Sequence, residues 1–101
     1  MGSTSIRLDE LAAGKPRKIT VGAKDVCVVR VADEVFAVAD ICTHSDASLA
    51  EGEVNGAKIE CWLHGAEFDL RTGAALTPPA TEGLETFVVS RDGDTVTISE
   101  R

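Results

Sequence analysis

The chain has three cysteines and two histidines, and these small numbers exclude several centres at once. An all-thiolate iron-sulfur cluster needs four cysteines. The haem-attachment pattern Cys-x-x-Cys-His is absent. No apolar run approaches the ~20 residues that cross a bilayer. The opening residues, Met1-Gly2-Ser3-Thr4-Ser5, lack the basic and apolar regions of a secretory leader, and a twin-arginine signal is missing. Cytoplasmic residence is the default expectation, and the cysteine use fits a reducing compartment. Positive charge is scarce: 10 Lys and Arg stand against 17 Asp and Glu, a net charge of −7. That balance disfavours nucleic acid and anionic membrane as partners. It is compatible with docking on a basic patch of another protein, and solubility accounts for most of the charges equally well. Repeats, linkers and low-complexity tracts are all lacking.

What remains is one globular domain of 101 residues, 44% hydrophobic. A core of that size is modest, and a metal staple would strengthen it. The chemistry is concentrated in two short stretches, Cys42-Thr43-His44 and Cys61-Trp62-Leu63-His64, with sixteen residues between them. Each supplies one thiol and one imidazole. Together they use both histidines and two of the three cysteines. Thiolate and imidazole select iron-sulfur clusters, zinc or copper over calcium and magnesium. One option is a mononuclear zinc held tetrahedrally by all four side chains. The other is a two-iron, two-sulfide cluster with both cysteines on one iron and both histidines on the other.

Spacing favours the cluster. Zinc fingers pair like with like, cysteines on a turn and histidines on a helix. Here each segment is mixed, and two mixed loops facing each other serve an asymmetric pair of irons. A mononuclear oxygenase iron needs two histidines and a carboxylate. If His44 and His64 hold a cluster, none remain for that purpose. The chain could relay electrons to an oxygenase without being one.

Cys42-Thr43-His44, Leu49-Ala50-Glu51-Gly52, Cys61-Trp62-Leu63-His64-Gly65-Ala66-Glu67-Phe68-Asp69, Thr72-Gly73 and Pro78-Pro79 resemble the Rieske-type ferredoxins. The resemblance extends over nearly the whole chain and is strongest to ferredoxin components of bacterial aromatic-ring dioxygenases. It implies one [2Fe-2S] cluster per chain, with Cys42 and Cys61 on the inner iron and His44 and His64 on the outer. It also implies an electron carrier rather than an enzyme. A flavin-dependent ferredoxin reductase would supply electrons, a terminal ring-hydroxylating oxygenase would receive them, and the carrier would be a monomer. Other readings are a small Rieske subunit of another oxidoreductase, such as a nitrite-reductase-like complex, and a zinc-stapled interaction module. Respiratory Rieske proteins carry an extra cysteine in each cluster loop. The matching positions here are Ala47 and Leu63, so the resemblance implies no disulfide.

Two thiolates leave the oxidised cluster formally neutral, whereas four leave a dianion. Histidine ligation therefore raises the potential above that of an all-cysteine centre. In high-potential relatives a serine and a tyrosine donate hydrogen bonds to the cluster sulfurs. Ala66 and Phe68 stand in the matching positions and cannot donate. The expected potential is at the low end of the Rieske range, about −150 mV. Trp62 is expected to shield the cluster or pack on the domain, with a contact role at the partner interface as the second reading. Gly65 is expected to let the backbone pass close to the cluster. Cys27, within Val26-Cys27-Val28-Val29, reads as buried and inert.

The fold class is all-β: a Rieske-type antiparallel β-sandwich with an inserted cluster-binding subdomain from about residue 40 to 79 of the single domain 1–101. Strands are expected at 4–7, 15–21, 24–31, 34–39, 84–90 and 95–99, where β-branched residues gather. A helical turn is expected at 8–13, closed by Gly14. Asn55-Gly56 and Asp92-Gly93 are hairpin signals, Val21 to Lys24 suggests a tight turn, and Asp33-Glu34 marks another. Phe36 is expected in the core. Thr77-Pro78-Pro79-Ala80 cannot be a central strand, because proline lacks the ladder donor. The family resemblance makes it a third loop beside the cluster.

Overall fold

The computed structural model describes residues 2–42, 47–63, 65–77 and 83–101. Among the described residues, nine strands form three antiparallel sheets of three. The first joins β1 (Ser3–Arg7), β9 (Thr95–Ser99) and β8 (Val88–Asp92) in that order. The second runs β2 (Arg17–Val21), β3 (Lys24–Val31), β4 (Glu34–Ala39). The third runs β5 (Glu53–Asn55), β6 (Lys58–Glu60), β7 (Glu67–Asp69). Short 3-10 turns occupy Leu8–Glu10 and Leu49–Glu51.

The central strand β3 explains how the sheets stack. Val26, Cys27, Val28 and Val29 are all buried, on both faces of the strand. Successive side chains of a strand point to opposite faces. Val26 and Val28 accordingly join one core, with Ile6, Ile19, Val21, Val96 and Ile98. Cys27 and Val29 join another, with Val38, Leu49, Ile59 and Phe68. The first core lies between the β2-β3-β4 and β1-β9-β8 sheets, and the second lies between β2-β3-β4 and β5-β6-β7. Each fully buried aliphatic or aromatic side chain contributes roughly 1.5–3 kcal/mol of transfer free energy. Cys42 and Cys61 belong to the second core.

Among the described residues, four hairpins are closed by two-residue turns: 22–23, 32–33, 56–57 and 93–94. In each, φ is positive at the first residue only: Gly22 at 61°, Ala32 at 53°, Gly56 at 59° and Gly93 at 60°. That is the II′ pattern, whose first position favours glycine. Ala32 is the non-glycine residue that adopts it. The expected turn at Asp33-Glu34 therefore sits one residue earlier, and Glu34 already begins β4.

Several expected elements are shorter. The helical turn stops at Glu10, and Gly14 instead donates its N–H to the Arg30 carbonyl at 2.7 Å. Strand β2 starts at Arg17, past Pro16, which has no N–H to give a ladder. The strand expected from 84 begins at Val88. Before it the backbone bonds one group at a time: Leu84 N–H to the Gly73 carbonyl at 2.6 Å, and Phe87 N–H to the Ala37 carbonyl at 2.9 Å. Phe36 is only half-buried and lies under the Arg71 guanidinium, 5.2 Å from its ring centre.

Candidate metal centre

Two loops leave the second core on the same plan. The first starts where β4 ends. Asp40 is buried, Ile41 bridges Ser48, and the Cys42 N–H donates to the Ala47 carbonyl at 3.0 Å. The second starts where β6 ends. Glu60 pairs with Glu67, and the Cys61 N–H donates to the Ala66 carbonyl at 2.7 Å. Inside it the Gly65 N–H returns to the Cys61 carbonyl at 2.9 Å, with Gly65 at φ 74°, in the left-handed region. Each loop is thus closed by a bond from its cysteine to the fifth residue onward. Both cysteines are almost wholly buried, and both pack in one apolar cluster.

The other two predicted ligands, His44 and His64, lie outside the described residues, as do Pro78 and Pro79. Among the described residues no group of three His, Cys, Asp or Glu side chains gathers as a metal site. The third loop is described as far as Thr77. Its hydroxyl accepts the Glu67 N–H at 2.9 Å, and the Leu76 N–H donates to the Glu67 carbonyl at 2.8 Å. Those bonds tie it to the strand that leaves the second loop.

Ala66 and Phe68 are fully buried in the same cluster as the two thiols, and neither side chain carries a donor. Cys27 shares that cluster. Burial, and then the charge of Asp40, push its thiol up to about 12, so it stays protonated and inert. Trp62 departs from one of its two expected roles, packing on the domain. It is 53% exposed and does not pack into the domain. It sits in the turn between Cys61 and His64, beside Leu63 at 45% exposure. With Ile41 and Leu76, also exposed, it sets large apolar side chains along all three loops.

Comparison with known proteins settles the family. Residues 4–88 match the Rieske [2Fe-2S] domain. The chain belongs to the Rieske [2Fe-2S] domain family. Its relatives include the 3-phenylpropionate/cinnamic acid dioxygenase ferredoxin subunit of Photorhabdus laumondii, 44% identical over 92% of this chain and 90% of that one. The biphenyl 2,3-dioxygenase ferredoxin component of Rhodococcus jostii is 40% identical over 88% and 83%. Among solved structures, the ferredoxin of carbazole 1,9a-dioxygenase from Nocardioides aromaticivorans superposes with a TM-score of 0.91 at 34% identity, covering 97% of this chain and 99% of that one. A complex of reduced oxygenase and oxidised ferredoxin in carbazole 1,9a-dioxygenase matches with a TM-score of 0.92, again at 34% identity, over 98% and 94%.

The cofactor of this Rieske domain is a [2Fe-2S] cluster, which sets aside the zinc reading. The described residues fit it: two buried thiols stand at the bases of matched loops in an apolar surround, and soft sulfur donors suit iron-sulfur centres. Like the ferredoxin components it resembles, the protein is an electron carrier rather than an enzyme.

Proposed function

We propose that this Rieske protein serves an aromatic-ring dioxygenase system. It takes one electron at a time from a flavin-dependent ferredoxin reductase and delivers it to a terminal ring-hydroxylating oxygenase. Cys42 and Cys61 would hold one iron, and His44 and His64 the other, within the segment 40–79 of a single domain. The protein works as a cytoplasmic monomer. When bound, the cluster supplies a one-electron couple whose potential histidine ligation raises above that of an all-thiolate centre.

The observation that carries this reading is the pair of matched loops, each with a buried cysteine at its base, with exposed apolar side chains at Ile41 beside the first and at Trp62 and Leu63 within the second. The buried bases keep water from the thiol side. Ile41, Trp62, Leu63 and Leu76 offer a partner a surface it can dry on contact. The net charge of −7 favours a partner with a basic face. The relatives are named as the ferredoxin component or subunit of dioxygenase systems, which favours a carrier for such a system over a subunit of another oxidoreductase.

EPR spectra before and after dithionite test the centre. The oxidised protein should be silent and the reduced one should give an anisotropic signal. Stopped-flow reduction of a terminal oxygenase tests the role. Trp62→Ala should slow that transfer severalfold while leaving the EPR signal unchanged. Transfer at the parent rate would remove the apolar tip from the docking surface.

A further inference from the structure

Asp40 is the buried charged residue among the described residues, and it stands two positions before Cys42. Its carboxylate is fully used. Oδ2 accepts the Ser48 hydroxyl at 2.6 Å, and Oδ1 accepts the Ala50 N–H at 3.0 Å. Its backbone carbonyl accepts the Leu49 N–H at 2.7 Å, and its own N–H donates to the Asp25 carbonyl at 3.1 Å. One residue therefore grips three consecutive residues on the far side of the Cys42 loop and anchors them to β3. The 2.6 Å separation is that of a charge-assisted O–H···O⁻ bond. Among the described residues no Lys or Arg forms an ion pair with this carboxylate. Among the described residues its charge is met by hydrogen-bond donors and by no cation.

We propose that Asp40 is a positioning residue for the Cys42 loop and, through the same buried charge, a determinant of the centre's potential. This rests on the ligand reading given above. A fixed anion in a low-dielectric surround disfavours arrival of an electron nearby, so it lowers the potential. The bonds to Ser48 and Ala50 hold that charge at one place relative to the loop.

Two variants separate the parts. Asp40→Asn removes the charge and keeps the shape. The amide oxygen can still accept from Ala50, and the amide nitrogen can donate to the Ser48 hydroxyl, which turns to accept. Ser48→Ala keeps the charge and removes one grip. Both are made as cluster-loaded protein, with iron and sulfide content measured. Loaded Asp40→Asn should show a higher potential than the parent in an EPR-monitored redox titration. Loaded Ser48→Ala should shift less in potential, but hydrogen exchange in the peptide 41–50 should quicken about tenfold. An unchanged or lower potential in loaded Asp40→Asn overturns the electrostatic role. Unchanged exchange in Ser48→Ala overturns the positioning role, and this arm still stands if Asp40→Asn does not fold. If the parent itself retains no iron and sulfide, the ligand reading falls, and this inference with it.

Discussion

Cys42 and Cys61 occupy equivalent places in two loops of equal span. Each donates its N–H to the carbonyl of an alanine five residues on, Ala47 at 3.0 Å and Ala66 at 2.7 Å. The two thiols enter the same apolar cluster from strands in different sheets, following β4 and β6. On the proposed ligand set the two are not independent donors, because each thiolate would need the other loop to complete the site.

Replacing either cysteine should therefore be as damaging as replacing both. Cys42→Ser and Cys61→Ser are each expected to give protein with little iron or acid-labile sulfide and no visible colour. Elemental analysis and absorbance check this. Full loading of either single variant would show that its thiol is not a ligand.

The donor-free neighbours should set the potential low. With Ala66 and Phe68 buried and unable to donate, a redox titration is expected to give about −150 mV, and a value above about zero would count against the assignment. Phe68→Tyr with Ala66→Ser should raise it. A buried hydroxyl without a partner costs about 1–3 kcal/mol, so the tyrosine variant should be destabilised less when loaded than when stripped, if the cluster accepts its bond.

Gly52 holds the first loop against the strand that feeds the second. It follows the Leu49–Glu51 turn, and its N–H donates to the Leu49 carbonyl at 3.0 Å. An added Cβ would collide with the Glu60 carbonyl oxygen, one residue before Cys61. Gly52→Ala is expected to lose roughly 1–3 kcal/mol of stability and to load less iron. Thermal melts and iron analysis read both effects. A variant that melts and loads like the parent would show that the backbone can shift at this point without disturbing the site.

Cys27 should be chemically silent in the native protein. Its thiol lies well above the ordinary value of 9.0, at about 12, because the core disfavours the thiolate. An unfolded chain ionises this thiol first as pH rises. The contribution of Cys27 to stability is thus whole below about 9 and is lost as pH climbs towards about 12. Native protein should resist alkylation at Cys27 in mild alkali, and Cys27→Ala should flatten the alkaline fall in stability. Rapid native alkylation would contradict the burial.

The all-β architecture could be read directly from the residues. Alternation in Thr95–Ser99 marks a strand with one buried face, and glycine-containing turns mark the hairpins. The strand expected from Leu84 misled because Leu84 and Phe87 are buried while the backbone between them meets β4 only through an isolated bridge, Thr86 to Val38, not a ladder. Hydrophobicity reports burial, and burial does not require a strand. Trp62 misled for the opposite reason. Its size suggested packing, but its place in a tight turn holds it outward. The matching closure of the two loops is a backbone feature, and Ala47 and Ala66 carry no side-chain signal for it. Asp40 is one of many acidic residues in the chain, and nothing in its local pattern separates it from those on the surface. Only the fold shows that its carboxylate faces Ser48 and Ala50.

The two-faced strand β3 has a consequence for how this protein can change. It acts as a party wall. Substitutions in the Cys27 and Val29 row press on the redox end, while those in the Val26 and Val28 row press on the sheet built from the chain's first and last strands. Lineages could therefore retune the electron-carrying half and remodel the opposite half through separate mutations, with a single strand transmitting strain from one tenant to the other.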